Sequence, residues 1–451
     1  MADFRPFQAW RYNPQKIEFG EVIAPPYDII SAEEQDRLYE RSPYNCVRLI
    51  LNRAEEPETA ESNRYLRAQN FFSSWKNKKI LIQEPAPCFY LYRETFPDLR
   101  DGSVKSRFAL IGRTRLEPFE KGVIIPHERT LSRPRADRRK LLETTQTNFS
   151  PVFGLYEEAG KEMDLLFSKI IKAPFIFEAA DDQKVRHTVW TVEDPGAVKQ
   201  IQNSLKDRKI YIADGHHRYQ TALEYGRQIR RQNPVAEETE LSSDFVLMAL
   251  AGFHDEGLVL LPTHRMILPY PGFDKRQGLS ALKEYFQIKA VGCEALKSWS
   301  KETASFNQWT QTPPSLGLIL ENQECYLLTL TDREAAQKIM PSGKLPAWYR
   351  LEVAILSHLI LEQLWNLPEN QWETTLRYTH NEAEAAEAVG KGAAKAAFLL
   401  QALPVEILRE VGKAQELMPQ KSTYFYPKLA SGLVFYSHLR NGEVPHGHTL
   451  S

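Results

Sequence analysis

Cysteine is scarce: the 451 residues hold four, Cys46, Cys88, Cys293 and Cys325, with no C-x-x-C spacing among them. No zinc site or redox pair is therefore legible, and the strand-like runs around Cys88 and Cys325 point to buried, reduced thiols. Basic excess is missing as well, since 57 Lys and Arg stand against 58 Asp and Glu for a net charge of −1. That removes the bulk attraction a nucleic-acid partner would exploit. No apolar run reaches the roughly 18 residues of a membrane span, and Met1-Ala-Asp-Phe-Arg-Pro lacks the apolar centre of a secretory signal. A cytoplasmic protein without membrane or nucleic-acid partners is expected. No repeat of fixed period is present, and Gly390-Lys-Gly392 lacks the spacing of a phosphate loop.

What is present is core-forming material: 42% hydrophobic residues in a chain long enough for two or three domains. Strand patterns fall at 45–51, 87–96, 106–117, 152–157, 175–178, 184–192, 244–253 and 257–268, and 316–330 reads as a hairpin. Helix patterns fall at 31–39, 59–77, 161–171, 195–207, 279–286, 294–309, 349–365 and 383–389, with another running to Gln146. Strands and helices do not alternate regularly, so the fold class is α+β, not a doubly wound sheet. A division into 1–118, 119–268 and 273–451 is expected, with the last linker at Pro269-Tyr-Pro-Gly272.

The chain's centre is Lys209-Ile-Tyr-Ile-Ala-Asp-Gly-His-His-Arg-Tyr-Gln-Thr-Ala222. A β-rich run enters a polar turn, and Tyr219, Ala222, Leu223, Gly226 and Ile229 then recur at helical spacing. Asp214 falls where an N-cap is wanted, and Gly215 permits a sharp turn. Helix starts attract anions because their first N–H groups lack partners and the dipole is positive there. His216, His217 and Arg218 add donors in the same turn, so the stretch reads as a phosphate cradle. The plainer alternative is a capped helix whose polar first turn faces water.

Other clusters carry chemistry-bearing residues. Ala24-Pro-Pro-Tyr-Asp28 fixes Tyr27 and Asp28 at a rigid turn, where Asp28 either meets a ligand or closes the turn. Val123-Ile-Ile-Pro-His-Glu-Arg-Thr130 ends a short strand and releases His127, Glu128 and Arg129 into a loop. Glu128 is a candidate general base, and His127 or Arg129 a candidate phosphate partner. Arg133, Arg135, Arg138, Arg139 and Lys140 form a basic helical run that either binds phosphates or is solvated. His264 and Arg265 are second-site candidates or ordinary strand-face residues. Lys421, Ser422 and Thr423, bracketed by prolines, are suited to an anionic group, with Tyr424, Phe425 and Tyr426 as apolar wall.

Ala24-Pro-Pro-Tyr-Asp28, Ile125-Pro-His-Glu128, Tyr211-Ile-Ala-Asp-Gly-His-His-Arg218 and Met418-Pro-Gln-Lys-Ser-Thr-Tyr-Phe-Tyr-Pro-Lys428 resemble the signatures of the family called domain of unknown function 1015. Locally, Asp214-Gly-His-His-Arg218 is similar to the phosphate-binding turn of the ParB/sulfiredoxin-like superfamily, especially its free serine kinases. That resemblance implies a ParB/sulfiredoxin-like nucleotide-binding core elaborated by further α+β segments, with Glu128 as proton acceptor. Sulfiredoxin needs a cysteine after the turn glycine, and His216 stands there, so thiol chemistry is not expected.

The expected function is a kinase-like phosphotransferase that uses ATP or ADP, or CTP, with Mg²⁺, on a small hydroxyl-bearing, serine-like metabolite. Glu128, Asp214 and His216 are its catalytic candidates. Gly215, His216, His217, Arg218, His127, Lys421, Ser422 and Thr423 are its cofactor-binding candidates. Two alternatives stay open: a phosphohydrolase holding Zn²⁺ or Mn²⁺ on His127, Glu128, Asp214, His216 and His217, and a non-catalytic nucleotide or metabolite sensor.

Overall fold

The computed structural model describes residues 1–55, 58–59, 62–128, 132–157, 161–234, 236 and 238–439, with the backbone alone at 132–134 and 161. The chain is α+β and divides into two compact units. The first comprises residues 1–126, 130–258 and 427–451, and the second 127–129 and 259–426.

A nine-stranded mixed sheet is the spine of the first unit. Its order runs Ile124–Ile125, Ile210–Asp214, Val152–Tyr156, Phe245–Gly252, Val104–Arg115, Phe89–Pro97, Arg186–Val192 and Phe177–Ala180, with Phe4–Arg5 added beside Val104–Arg115. Phe89–Pro97 and Val104–Arg115 are the hairpin that alternation and Asp101-Gly-Ser103 predict. Ile210–Asp214, second from one end of the sheet, is apolar and buried because it is paired on both edges, parallel to Ile124–Ile125 and antiparallel to Val152–Tyr156. Its register slips between Ile212 and Asp214, a bulge at the point where the strand delivers its last residue. The helix His216–Gln232 follows and buries Tyr219, Ala222, Tyr225 and Gly226, whereas Leu223 is only half-buried. Gly226 must be glycine, because a Cβ there would lie 2.5 Å from the Ser243 carbonyl oxygen.

The second unit is built on a six-stranded antiparallel sheet ordered Phe286–Ala290, Glu324–Leu330, Ser315–Leu320, Ala396–Leu399, His264–Ile267 and Leu376–Thr379. Val259–Leu261 pairs separately with Tyr424–Tyr426. The apolar helix expected at 349–365 begins as α-helix at Glu352–Ala354 and continues at Ile355–Leu364 as a π-helix, a rare geometry in which the bonds reach five residues back.

Several readings need correction. Residues 45–51 form no strand: Asn45 accepts from Val47 N at 2.9 Å and donates to the Glu21 and Ile23 carbonyls, bending the run into the short helix Val47–Ile50. The helix expected at 279–286 lies at Lys275–Leu282, and Phe286 opens a strand. That expected at 294–309 is two helices, Cys293–Lys301 and Phe306–Gln311, the second started by a capping box between Ser305 and Gln308. Cys325 is not a reduced thiol but is disulfide-bonded to Cys293, a pairing invisible across 32 residues of sequence. Cys46 and Cys88 are free and buried. Among the described residues no helix is long and apolar enough to cross a membrane.

Glu352, at the start of the long helix, is buried, and its carboxyl is pushed from 4.5 up to about 7 by that burial, with Trp309 and Arg350 opposing. A raised carboxyl favours the fold while protonated. Its contribution is complete below pH 4.5 and disappears as pH rises through 7. Glu352→Gln is therefore expected to match the parent near pH 4 and to exceed it by up to roughly 3 kcal/mol at pH 8, as denaturant melts at the two pH values would show.

Candidate functional site

In the first unit the strand Ile210–Asp214, the turn at Gly215 and the helix start converge as the sequence expects, but the cap differs. Gly215, not Asp214, is the N-cap residue, with φ of 88°, and it provides no side-chain cap bond. Asp214 is committed elsewhere: its Oδ2 accepts from Arg218 Nη2 at 2.6 Å and its Oδ1 from Lys428 Nζ at 2.5 Å. Two cations on one carboxylate form a tighter arrangement than a cap, and Lys428 Nζ lies in a side chain only 8% exposed. Burial alone would raise the Asp214 carboxyl. Lys428 and then Arg218 outweigh it, with His216 acting in the same direction, and hold the group well below the usual carboxylate range.

Arg218 joins this turn to a cavity. Its guanidinium also donates to the Pro151 carbonyl, and a Cβ on Gly215 would lie 2.9 Å from its Nε, so the turn has to be glycine to let the arginine fold back over it. On its other side Arg218 lines a cavity of about 60 Å³ together with Tyr27, Arg138, Asn148, Ser150 and Thr221. That space exceeds the needs of one water and suits a phosphate-sized group. Arg138 is buried there, bonded to Asp137 and to the Ile50 carbonyl, with its guanidinium 3.9 Å from the centre of the Tyr27 ring. Burial pushes the Tyr27 hydroxyl up to about 12 against the pull of Arg138. Thr221 is 2% exposed and its Oγ1 has no hydrogen-bond partner. A buried hydroxyl left unpaired is costly, and one facing a cationic cavity is suited to a ligand oxygen.

In the second unit, His127 and Glu128 come together with Ser422 and Thr423. Glu128 Oε1 accepts from Ser422 N at 2.9 Å, Thr423 N at 3.1 Å and Thr423 Oγ1 at 3.3 Å. His127 Nε2 meets Thr423 Oγ1 at 2.8 Å, and Met418 N donates to the His127 carbonyl. This carboxylate thus fastens the loop after Pro419 in place, with Ser422 Oγ bonded back to the Pro419 carbonyl. Lys421 is exposed, with a positive φ of 55°, and its carbonyl accepts from Arg265.

His264 and Arg265 serve the backbone. His264 Nδ1 accepts from Leu400 N, and burial draws the imidazole down to about 3. Arg265, drawn down to about 10 by burial, donates to the Thr263, Gln420 and Lys421 carbonyls. Of the basic run after residue 132, Arg138 turns inward while Arg139 and Lys140 face water. Arg129 and the side chain of Arg133 lie outside the described residues.

Sequence reasoning passed over Lys428, Tyr27 and Thr221 as site residues. Lys428 closes the Met418–Lys428 signature and Tyr27 sits in the Pro-Pro signature, so both carried a signal; Thr221 is an ordinary helical threonine by sequence. Among the described residues no group of three or more His, Cys, Asp and Glu side chains is placed to hold a metal ion.

The fold and the turn define an α+β protein with a cationic pocket beside a glycine-started helix. Residues 4–354 match the family described as a protein of unknown function, DUF1015, and the chain belongs to that family. Among solved structures it is similar to a free serine kinase in complex with AMP, at 13% identity and a TM-score of 0.35, covering 67% of this chain and 83% of that one. It is also similar to a conserved hypothetical protein from Pyrococcus furiosus, at 14% identity and a TM-score of 0.32, covering 67% and 87%. A third is SbnI with C-terminal truncation from Staphylococcus aureus, at 9% identity and a TM-score of 0.32, covering 70% and 85%. At such scores these likenesses say nothing of the reaction. No curated protein gives a significant match.

Proposed function

We propose that the first unit binds the phosphate end of a nucleotide at the Gly215 turn and transfers a phosphoryl group to a small hydroxyl-bearing metabolite. One observation carries the reading: Arg218 belongs at once to the glycine turn, where Asp214, itself held by Lys428, positions it, and to the cavity it shares with Arg138 and Tyr27. Phosphoryl transfer asks chiefly for positioned positive charge, because charge spreads over the phosphate oxygens as the bond to the leaving group lengthens. Arg218 and Lys428 supply it, and the helix of 17 residues behind Gly215 adds its dipole.

In this reading Asp214 organises the two cations, and His216, the first residue of the helix, takes the hydroxyl proton as a neutral imidazole. The donor set is cationic, which fits the nucleotide's phosphates; Mg²⁺ would be held by those phosphates and would share their charge. Glu128→Gln reports on the role that the family resemblance gives Glu128. Lost turnover at unchanged nucleotide binding assigns it proton transfer, and unchanged turnover leaves it as the fastening of the loop after Pro419.

The test is calorimetric titration of ATP, ADP and CTP into the full chain and into Arg218→Ala, followed by mass spectrometry of small alcohols incubated with whichever nucleotide binds. Binding that weakens at least about tenfold in the variant supports the reading. Folded protein that binds no nucleotide overturns it, and stoichiometric transition metal in the purified protein favours the hydrolase.

A further inference from the structure

A second cavity, of about 190 Å³, lies within the second unit and has a different chemistry. Trp348 and Trp372 contribute its aromatic wall, and Glu362, Glu369, His358 and Lys344 its charged and polar groups. Both indole N–H groups are spent on the backbone, Trp348 Nε1 on the Leu417 carbonyl at 3.2 Å and Trp372 Nε1 on the Leu367 carbonyl at 2.9 Å. What the tryptophans have left to offer is their π faces, which are electron-rich and attract cations.

The protein already uses one of those faces in this way. Lys344 Nζ stands 5.6 Å from the centre of the Trp348 ring, and His358 stacks on the same ring at 5.4 Å. His358 is oriented by Glu362, its Nδ1 lying 2.8 Å from Glu362 Oε2. Two carboxylates, Glu362 and Glu369, therefore line the cavity against a single ammonium. A third stands next to its wall: Glu416 Oε1 accepts from Leu345 N at 3.0 Å, while its Oε2 is buried without a hydrogen-bond partner. Both glutamates that line the cavity and His358 come from, or just after, the π-helix Ile355–Leu364, whose widened turn shifts side chains out of α-helical register.

We infer that this cavity binds a small organic cation, a primary or methylated ammonium, between Trp372 and the Glu362 and Glu369 carboxylates. The tryptophan face supplies cation–π attraction, the carboxylates neutralise the charge, and the volume limits the ligand to a compact ammonium. The site lies wholly in the second unit and does not depend on the phosphotransferase reading.

The experiment titrates choline, ethanolammonium and putrescine into the full-length protein by calorimetry and tryptophan fluorescence. The neutral isostere of choline, 3,3-dimethylbutanol, and acetate serve as controls. At least one ammonium is expected to bind saturably, and the neutral isostere at least about tenfold more weakly. Glu362→Gln/Glu369→Gln is expected to weaken the ammonium at least about tenfold. Trp372→Phe, which keeps an aromatic face, is expected to retain more binding than Trp372→Leu. No saturable binding by any ammonium up to about 10 mM, equal binding of the neutral isostere, or full binding by the folded double variant would each overturn the assignment.

Discussion

Glu94→Gln is expected to destabilise the first unit by about 3–5 kcal/mol. Arg107 and Glu94 are 0% and 1% exposed, paired at 2.5 Å in the hairpin of Phe89–Pro97 and Val104–Arg115. Arg107 also donates to the Pro427 carbonyl and lies 4.9 Å from the centre of the Phe153 ring. Deleting the carboxylate charge strands a guanidinium that water cannot reach. Total stabilities are of the order of 5–15 kcal/mol, so the loss is a large fraction of the whole. Replacing both partners at once, as in Glu94→Leu/Arg107→Met, removes the stranded charge and is expected to recover much of it. Urea melts of the two variants check this: a double variant no more stable than the single one would show that the pair is not the origin of the loss.

Asp214→Asn is expected to cost about 3 kcal/mol, because Arg218 and Lys428 then face each other without the carboxylate between them. The pH dependence follows from the depressed Asp214 carboxyl. A group held ionised by the fold contributes fully above its unfolded value of 3.8, and that contribution is lost as pH falls below it. Parent and variant should therefore differ at pH 7 and converge in acid. Inorganic phosphate should raise the melting temperature of the variant more than that of the parent, since an added anion replaces the missing carboxylate. Equal melting temperatures at pH 7, or a phosphate response no larger in the variant, would contradict the ion-pair account.

The sequence carried the hairpin, the strand into the Gly215 turn and the helix after it, because local chemistry decides each: alternation, glycine's freedom at positive φ, and apolar spacing from Tyr219 onward. It misjudged what other parts of the chain do to those elements. Asp214 reads as an N-cap only while Lys428 is out of view, and 45–51 reads as a strand only while the carbonyls that capture Asn45 are out of view. The Cys293–Cys325 bond and the partnership of Glu128 with Ser422 and Thr423 likewise join residues far apart in sequence. Signature stretches marked Asp214, Lys428, Glu128, Ser422 and Thr423, but neither Asn45 nor the two bonded cysteines. Which stretch meets which is decided by strand order, and that is not local.

The ion pair between Asp214 and Lys428 spans 214 residues, and the strands of its sheet are complete long before the lysine is translated. Until Lys428 is made, the Asp214 carboxylate lacks one of the two cations that bond to it. The Gly215 turn gains its second cation only once Lys428 has been made, so premature termination anywhere in 259–426 leaves the Asp214 carboxylate without its lysine.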